Sequence, residues 1–384
     1  MSQQHALDHA PSPESDLVVL SHLRWTFVWQ RPQHLISRLA TSRRTWFVEE
    51  PLPCAVESPQ LRSEEHGNVT RMWLEVPRHY GPSGHCGFDH AVGEEHYAAA
   101  AAAAIGEPGG PRTVWTYTPM AMGMAAALQA DHLVYDVMDD LASFDGAPEA
   151  MRLRHLRVLR DADVVFTGGR SLHRGVTRHR RDHTYLFPSG VEPEHFRSTS
   201  RSGPNRTPVA GYVGVIDERL DLDLLSGLAA ALPDWRLEIV GPTLKIDPAT
   251  LPQAPNLSYP GPQPYERLPE VLAGFDVALM PFALNASTRS ISPTKTLEYL
   301  AAGLPVVSTR VPDVVSDYGH IVDMSNDAAG FAEACRRAQG RGRIHGDGAV
   351  QEVLGRQHWD TIAAHMEAIL DDTSHPAAAP QGGA

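Results

Sequence analysis

The chain reads as an α/β protein made of two Rossmann-like, doubly wound domains facing a cleft. Three observations predict this. Short apolar runs alternate with helical stretches, a polar Gly- and Pro-containing break interrupts them at 197–208, and the alternation then restarts. Continuous apolar strands joined by helices imply parallel sheets covered on both faces. A length of 384 residues accommodates two such cores.

In chain order, 1–15 is a polar tail expected to be disordered. The first domain, 16–196, has strands at 16–21, 45–49, 69–76, 113–117, 133–136, 164–167 and 184–187. Helices lie between them near 32–40 and in the Ala-rich run 98–104. After the linker, the second domain (209–349) has strands at 209–215, 236–240, 257–259, 277–281, 305–308 and 320–322. A closing helix at 350–371, with Trp359, Ile362, Met366 and Ile369 on one stripe, is expected to pack back on the first domain. Residues 372–384 form a second disordered tail. Doubly wound sheets bind ligands at the carboxyl ends of their strands.

Bulk properties exclude several functions. A net charge of −13 argues against general nucleic-acid binding. The three cysteines lack CxxC spacing and the 20 histidines form no HExxH, so neither structural zinc nor a catalytic metal is expected. Residues 1–15 lack an apolar h-region and no run approaches the ~18 apolar residues of a membrane span, which suggests a cytoplasmic protein. GxGxxG and GxxxxGK[ST] are both missing.

The segment 292–308 (SPTKTLEYLAAGLPVVS) says most about chemistry. Its Lys295 is one of only two lysines, with Lys245, in a chain that otherwise uses Arg for positive charge. Ser292 or Thr294 is placed to cap a helix, and Pro293 suits its first turn. Free N–H groups and the helix dipole then favour an anion, to which Lys295 adds a compact ammonium. Glu298 follows Thr294 by one turn on the same face, where a carboxylate suits ribose hydroxyls. An ordinary capped helix with solvated Lys and Glu fits the same residues.

The second half resembles the GT-B glycosyltransferases, particularly the retaining "glycosyl transferases group 1" (family 4) group. The resemblance rests on 188–196 (PSGVEPEHF), 211–214 (GYVG), 239–242 (IVGP) and 294–307. The N-terminal 25–35 (WTFVWQRPQHL) is similar to a bacterial exopolysaccharide and teichuronic-acid subset. It implies a GT-B fold and transfer of a sugar from a nucleoside diphosphate, uridine or guanosine, to a carbohydrate or lipid-linked acceptor. No cofactor or metal is implied. The donor residues carried over are Gly214, Arg219, Lys245, Ser290, Pro293, Thr294, Lys295, Thr296 and Glu298. Arg219 is the candidate diphosphate clamp, unless it pairs with Asp221 or Asp223. Ser290 stands where the family commonly has a sugar-contacting Glu; its hydroxyl or Arg289 would take that place.

The acceptor side is expected to hold His22, Arg24, Trp25, Arg31 and Asp139, with aromatics stacking on sugar and Arg24 or Arg31 meeting an anionic group. The same Trp and Arg residues also fit a packing role. Asp136 ends a strand where relatives often have His, and is read as orienting the acceptor hydroxyl or acting as base, so that Asp136, Arg219 and Lys295 form the catalytic set. Nine arginines between 152 and 181 suggest peripheral contact with anionic membrane, or solvated helix faces. The rival functions are a GT-B nucleotide-sugar epimerase and a non-catalytic donor-binding subunit of a glycan assembly complex.

Overall fold

The computed structural model describes residues 15–374 except 28, 82–85, 142–148, 198–204, 286–287 and 292–293, with the side chains of 94, 95, 373 and 374 also left aside. Tail residues 1–14 and 375–384 lie outside it, as do Ser292 and Pro293. The chain forms two compact units. Of the described residues, those up to Thr167, those in 175–186 and those from Ile362 form one, and those in 168–174 and 187–361 form the other.

The first unit holds a sheet of nine strands among the described residues: β1 (Asp16–Ser21), β2 (Arg44–Glu49), β3 (Leu52–Cys54), β4 (Gln60–His66), β5 (Val69–Pro77), β6 (Arg112–Thr116), β7 (His132–Val137), β8 (Val164–Thr167) and β9 (Thr184–Leu186). Its order is β3-β5-β2-β1-β6-β7-β8-β9, with β4 on β5. All pairs are parallel except β4–β5. β1 is wholly buried, and its first residue, Asp16, sits in the core because Arg44 (2.6 Å) and Arg112 (3.1 Å) grip its two oxygens. Val18, Leu20, Val48, Met72, Leu74 and Val114 build the core beside it, each contributing on the order of 1.5–3 kcal/mol by burial.

β5 matches the strand expected at 69–76, but its hairpin partner β4 was absent from the expected elements. β4 reads QLRSEEH and lies largely exposed, so it lacks the apolar run that marks the other strands. It is held by its register, His66 opposite Val69 across a turn with Gly67 at φ +60°, and by polar pairs such as Arg62–Glu75 at 2.9 Å.

The second unit has a parallel sheet in the order β12-β11-β10-β13-β14-β15. Its strands are β10 (Val209–Val213), β11 (Arg236–Val240), β12 (Leu257–Ser258), β13 (Val277–Met280), β14 (Val306–Ser308) and β15 (Asp323–Met324). The last replaces the strand expected at 320–322. There the Ile321 and Val322 N–H groups both donate to the Tyr318 carbonyl, which finishes the helix Pro312–Tyr318 as a turn. Residues 187–196, read from sequence as the end of the first domain, supply Val191 and Phe196 to this unit's core.

The closing helix expected at 350–371 is two helices, Gly348–Arg356 and Trp359–Ser374. The backbone between them is used elsewhere: the Val191 N–H donates to the Gln357 carbonyl and the Trp359 N–H to the Val191 carbonyl. Residues from Ile362 onward belong to the first unit, where Arg43 meets Glu367 (2.6 Å) and Asp371 (2.7 Å). No helix among the described residues is long and apolar enough to cross a membrane.

Strand order reverses beside β1 in one sheet and beside β10 in the other. Such switch points leave a crevice at the carboxyl ends of the strands. The loops leaving β1 and β10 therefore hold the candidate residues.

Candidate active site

In the second unit the crevice is shaped by two glycines. Gly214 leaves β10 at φ +156° and Gly241 leaves β11 at φ +151°, both strained for any side chain. A Cβ on Gly214 would overlap Lys295 Cε and stand 2.9 Å from its Nζ; one on Gly241 would overlap the Gly214 carbonyl oxygen. The lysine stem thus lies along bare backbone.

The loop after Gly214 is pinned to the exits of both neighbouring strands. The Ile216 N–H donates to Pro242 O (2.9 Å) and the Leu244 N–H returns to Ile216 O (3.0 Å). On the other side the Asp221 N–H reaches Pro281 O (2.9 Å), and the Arg219 carbonyl accepts from Ala283 (2.8 Å). Asn285 adds a bond from its side-chain amide to Glu218 O at 3.2 Å.

Arg219 pairs with neither Asp221 nor Asp223. Asp221 instead caps the helix Leu222–Ala231 through the Leu224 N–H. Asp217 holds Arg219, accepting from its backbone N–H (3.0 Å), Nε (2.9 Å) and Nη2 (2.6 Å). Asp217 is buried, whereas a third of the Arg219 side chain is exposed.

Lys295 and Glu298 lie on the helix Thr294–Ala301. Burial pulls the Lys295 ammonium below the ordinary lysine value; Glu298 and Asp217 oppose this, and Arg219 adds to it. Burial raises Glu298 above the ordinary carboxylate range, against the pull of Lys295, the Thr294 hydroxyl and His195. Two cations and two carboxylates therefore share one half-covered crevice. Tyr212 lines it: its hydroxyl donates to Val215 O (2.9 Å), and a Gly214 Cβ would come within 2.7 Å of the Tyr212 hydroxyl oxygen.

The remaining donor candidates separate. Lys245 is exposed, at φ +62°, with Glu218 3.9 Å away. Ser290 is half-buried in a turn built on Thr288, a residue the sequence reading missed, whose N–H donates to Asn285 Oδ1 (3.1 Å) and whose hydroxyl accepts the Asn285 N–H (3.0 Å). Thr296 is corrected: it is fully buried and its hydroxyl meets Met280 Sδ at 3.3 Å, so it faces the core. Pro293 lies outside the described residues.

In the first unit three acceptor-side expectations change. Trp25 is buried with its ring against Phe47 (ring centroids 4.9 Å), leaving no ring face for a sugar, and its backbone N–H donates to Glu49 Oε1 (2.7 Å). Arg31 and Asp136 meet in a buried bidentate pair at 2.9 and 3.0 Å. A fully covered carboxylate with both oxygens on a guanidinium reaches no substrate, so Asp136 is structural. Its charge, after burial itself, also holds the Tyr117 phenol well above its ordinary value.

Arg24 is likewise occupied, donating to Glu49 Oε2 (3.1 Å), Glu50 O and Pro51 O (3.2 Å). Glu49 was missed from sequence; it is buried and also takes two bonds from Arg71. His22 and Asp139 are half-buried beyond β1 and β7. Phe27 and Trp29 are the exposed aromatics of the loop, and the Trp29 indole donates to His34 Nδ1 at 3.0 Å.

The arginine stretch divides between the units. In the first, Arg152 pairs with Glu149 and Arg160 with Asp161, while Arg180 turns inward to the Leu159 (2.9 Å), Ala162 and Asp163 (2.8 Å) carbonyls. In the second, Arg170 pairs with Asp317.

Comparison with known proteins agrees with this frame. A family model described as "Glycosyl transferases group 1" matches residues 207–339, the part holding Gly214, Arg219, Lys295 and Glu298. A Bacillus subtilis (strain 168) protein named as teichuronic acid biosynthesis glycosyltransferase TuaH is 25% identical over 283 residues, 66% of this chain and 70% of that one. Sucrose-phosphate synthase from Thermosynechococcus elongatus superposes with a TM-score of 0.72 at 15% identity, covering 95% of this chain and 100% of that one. HepE of Anabaena, solved with UDP and glucose, gives 0.65 at 14% identity over 93% and 99%. Residues 207–339 thus match the glycosyl transferases group 1 family, and the chain has the two-domain GT-B fold of its structural neighbours.

Proposed function

We propose that the enzyme transfers a sugar from a nucleoside-diphosphate donor to a carbohydrate or lipid-linked acceptor, with retention of configuration and without a metal. The observation that carries this is Lys295 lodged against the bare backbone of Gly214, with Arg219 acting on the same crevice. Two cations brought together at a strand end, one held against its own desolvation cost, suit a multiply charged anion.

In this reading Arg219, Lys295 and the amides opening the Thr294–Ala301 helix meet the diphosphate. They neutralise charge as the sugar C1–O bond breaks, the task a metal performs elsewhere. Glu298 accepts from the ribose hydroxyls, and Ser290 is placed to contact the sugar. The carboxyl end of β1 and its neighbours would receive the acceptor, with His22 and Asp139 as polar contacts. HepE was solved with UDP and glucose, so uridine donors are the first to test. The name of the Bacillus relative points to polysaccharide synthesis.

Incubation with a panel of uridine and guanosine diphosphate sugars tests the assignment. Release of the diphosphate with the sugar's anomeric configuration kept, unaffected by a chelator, is expected. A changed sugar on an intact nucleotide would make the protein an epimerase, and binding without turnover a donor-binding subunit. Arg157, Arg178 and Arg181 are exposed in the first unit and suit anionic lipid. Sedimentation with anionic but not neutral vesicles is the expected result; no sedimentation at low salt removes the membrane contact.

A further inference from the structure

We propose that Asp217 is a built-in counter-ion of the donor site: it presents Arg219 to the diphosphate and, by its charge, helps expel the diphosphate product. The inference rests on the donor reading above and adds a positioning residue to it.

The first half stands on geometry. Asp217 and Arg219 are two residues apart in one loop, joined by the backbone N–H, Nε and Nη2 of Arg219. So local a pair ties no distant elements together and adds little to global stability. The cost of burying the carboxylate is nevertheless accepted. What the pair does is hold a long, rotamer-rich side chain in one orientation at the mouth of the crevice. The loop beneath is already nailed to Pro242, Pro281 and Ala283, so the guanidinium is presented by a rigid platform.

The second half follows from the charges. Arg219 and Lys295 face Asp217 and Glu298, so the protein's own cations and carboxylates balance there. A nucleoside diphosphate brings its own two or three negative charges into a crevice that is already neutral. The donor ester is less charged than the free diphosphate, so the repulsion falls mainly on the product. Asp217 lies closest to the cation that both must share. Without its charge, Arg219 and Lys295 would grip the product with only Glu298 to oppose them.

Loop support alone and a counter-ion role predict opposite signs, which makes the test sharp. Calorimetric titration of uridine diphosphate and guanosine diphosphate into wild type and Asp217→Asn, together with steady-state and burst kinetics, is the experiment. The proposal expects the variant to bind the preferred diphosphate about tenfold more tightly. Its kcat should fall several-fold, with a burst of product in the first turnover. Weaker or unchanged diphosphate binding by the variant overturns the inference and leaves the donor reading intact. Tighter binding with unchanged turnover overturns the expulsion role. Failure of wild type to bind either diphosphate overturns the donor reading and this inference together. Should the Asn protein be unstable by circular dichroism, Asp217→Ser repeats the test, since its hydroxyl still accepts the Arg219 N–H.

Discussion

Replacing Lys295 by Met removes the ammonium while keeping an unbranched stem against Gly214, where a smaller residue would leave a gap. Two terms enter. The first is the lost charge-assisted contact with the diphosphate, about 1.5–3 kcal/mol, or roughly 10- to 150-fold in donor affinity. The second concerns the empty protein and has the opposite sign. The native ammonium is desolvated and repelled by Arg219, so its loss relieves a cost that the attraction of Glu298 and Asp217 only partly offsets. Thermal stability should therefore stay level or rise by about a degree or two while donor affinity collapses. Isothermal titration with the donor nucleotide and a melting curve on the same preparation measure both. The salt dependence of binding should flatten too, because one cation has left the site. An unchanged dissociation constant would refute the phosphate role of Lys295. Equal loss of affinity and stability would show that the residue holds the helix rather than the ligand.

Donor affinity should trace a narrow bell against pH. It should be lost on the alkaline side as pH rises through the lowered lysine value of Lys295, before the ~10.4 of an ordinary lysine. On the acid side it should be lost as pH falls through the raised value of Glu298, above the ~4.3 of an ordinary glutamate. Ordinary limits at both ends would contradict the crevice electrostatics. Gly214→Ala forces a Cβ into the lysine stem at φ +156° and should cost about 1–3 kcal/mol in stability together with donor binding, read by denaturant titration. Asp136→Asn leaves Arg31 buried without its counter-charge and should destabilise the first unit by about 3–5 kcal/mol. A stable, well-folded Asn variant that binds donor yet does not turn over would restore Asp136 as the base.

The main strands were legible because a buried parallel strand must be apolar on both faces, as DLVVLS of β1 and VALM of β13 are. The hairpin strand β4 escaped because its stability comes from pairing with β5 across the turn at Gly67, not from its own hydrophobicity. The 350–371 helix split because its break is caused by Val191, a residue far away in the chain. Among site residues, Lys295 was legible as a rare residue type beside helix-start signals. Asp217 and Glu49 were not, since an Asp or Glu in a polar loop or at a strand end carries no mark of burial.

The amino-acid order alone determined that there would be two doubly wound sheets, which loops would leave their switch points, and that a lysine and a glutamate one helical turn apart would stand at one of them. Periodicity and local capping are short-range properties, so they survive in one dimension. Only the tertiary structure decided which charges meet. It spent Arg31 on Asp136 and Trp25 on the core, and it closed Asp217 on Arg219 while laying Lys295 along Gly214. The strength and role of a charge depend on its distance to partners and its exposure to water, and neither is written in its position along the chain.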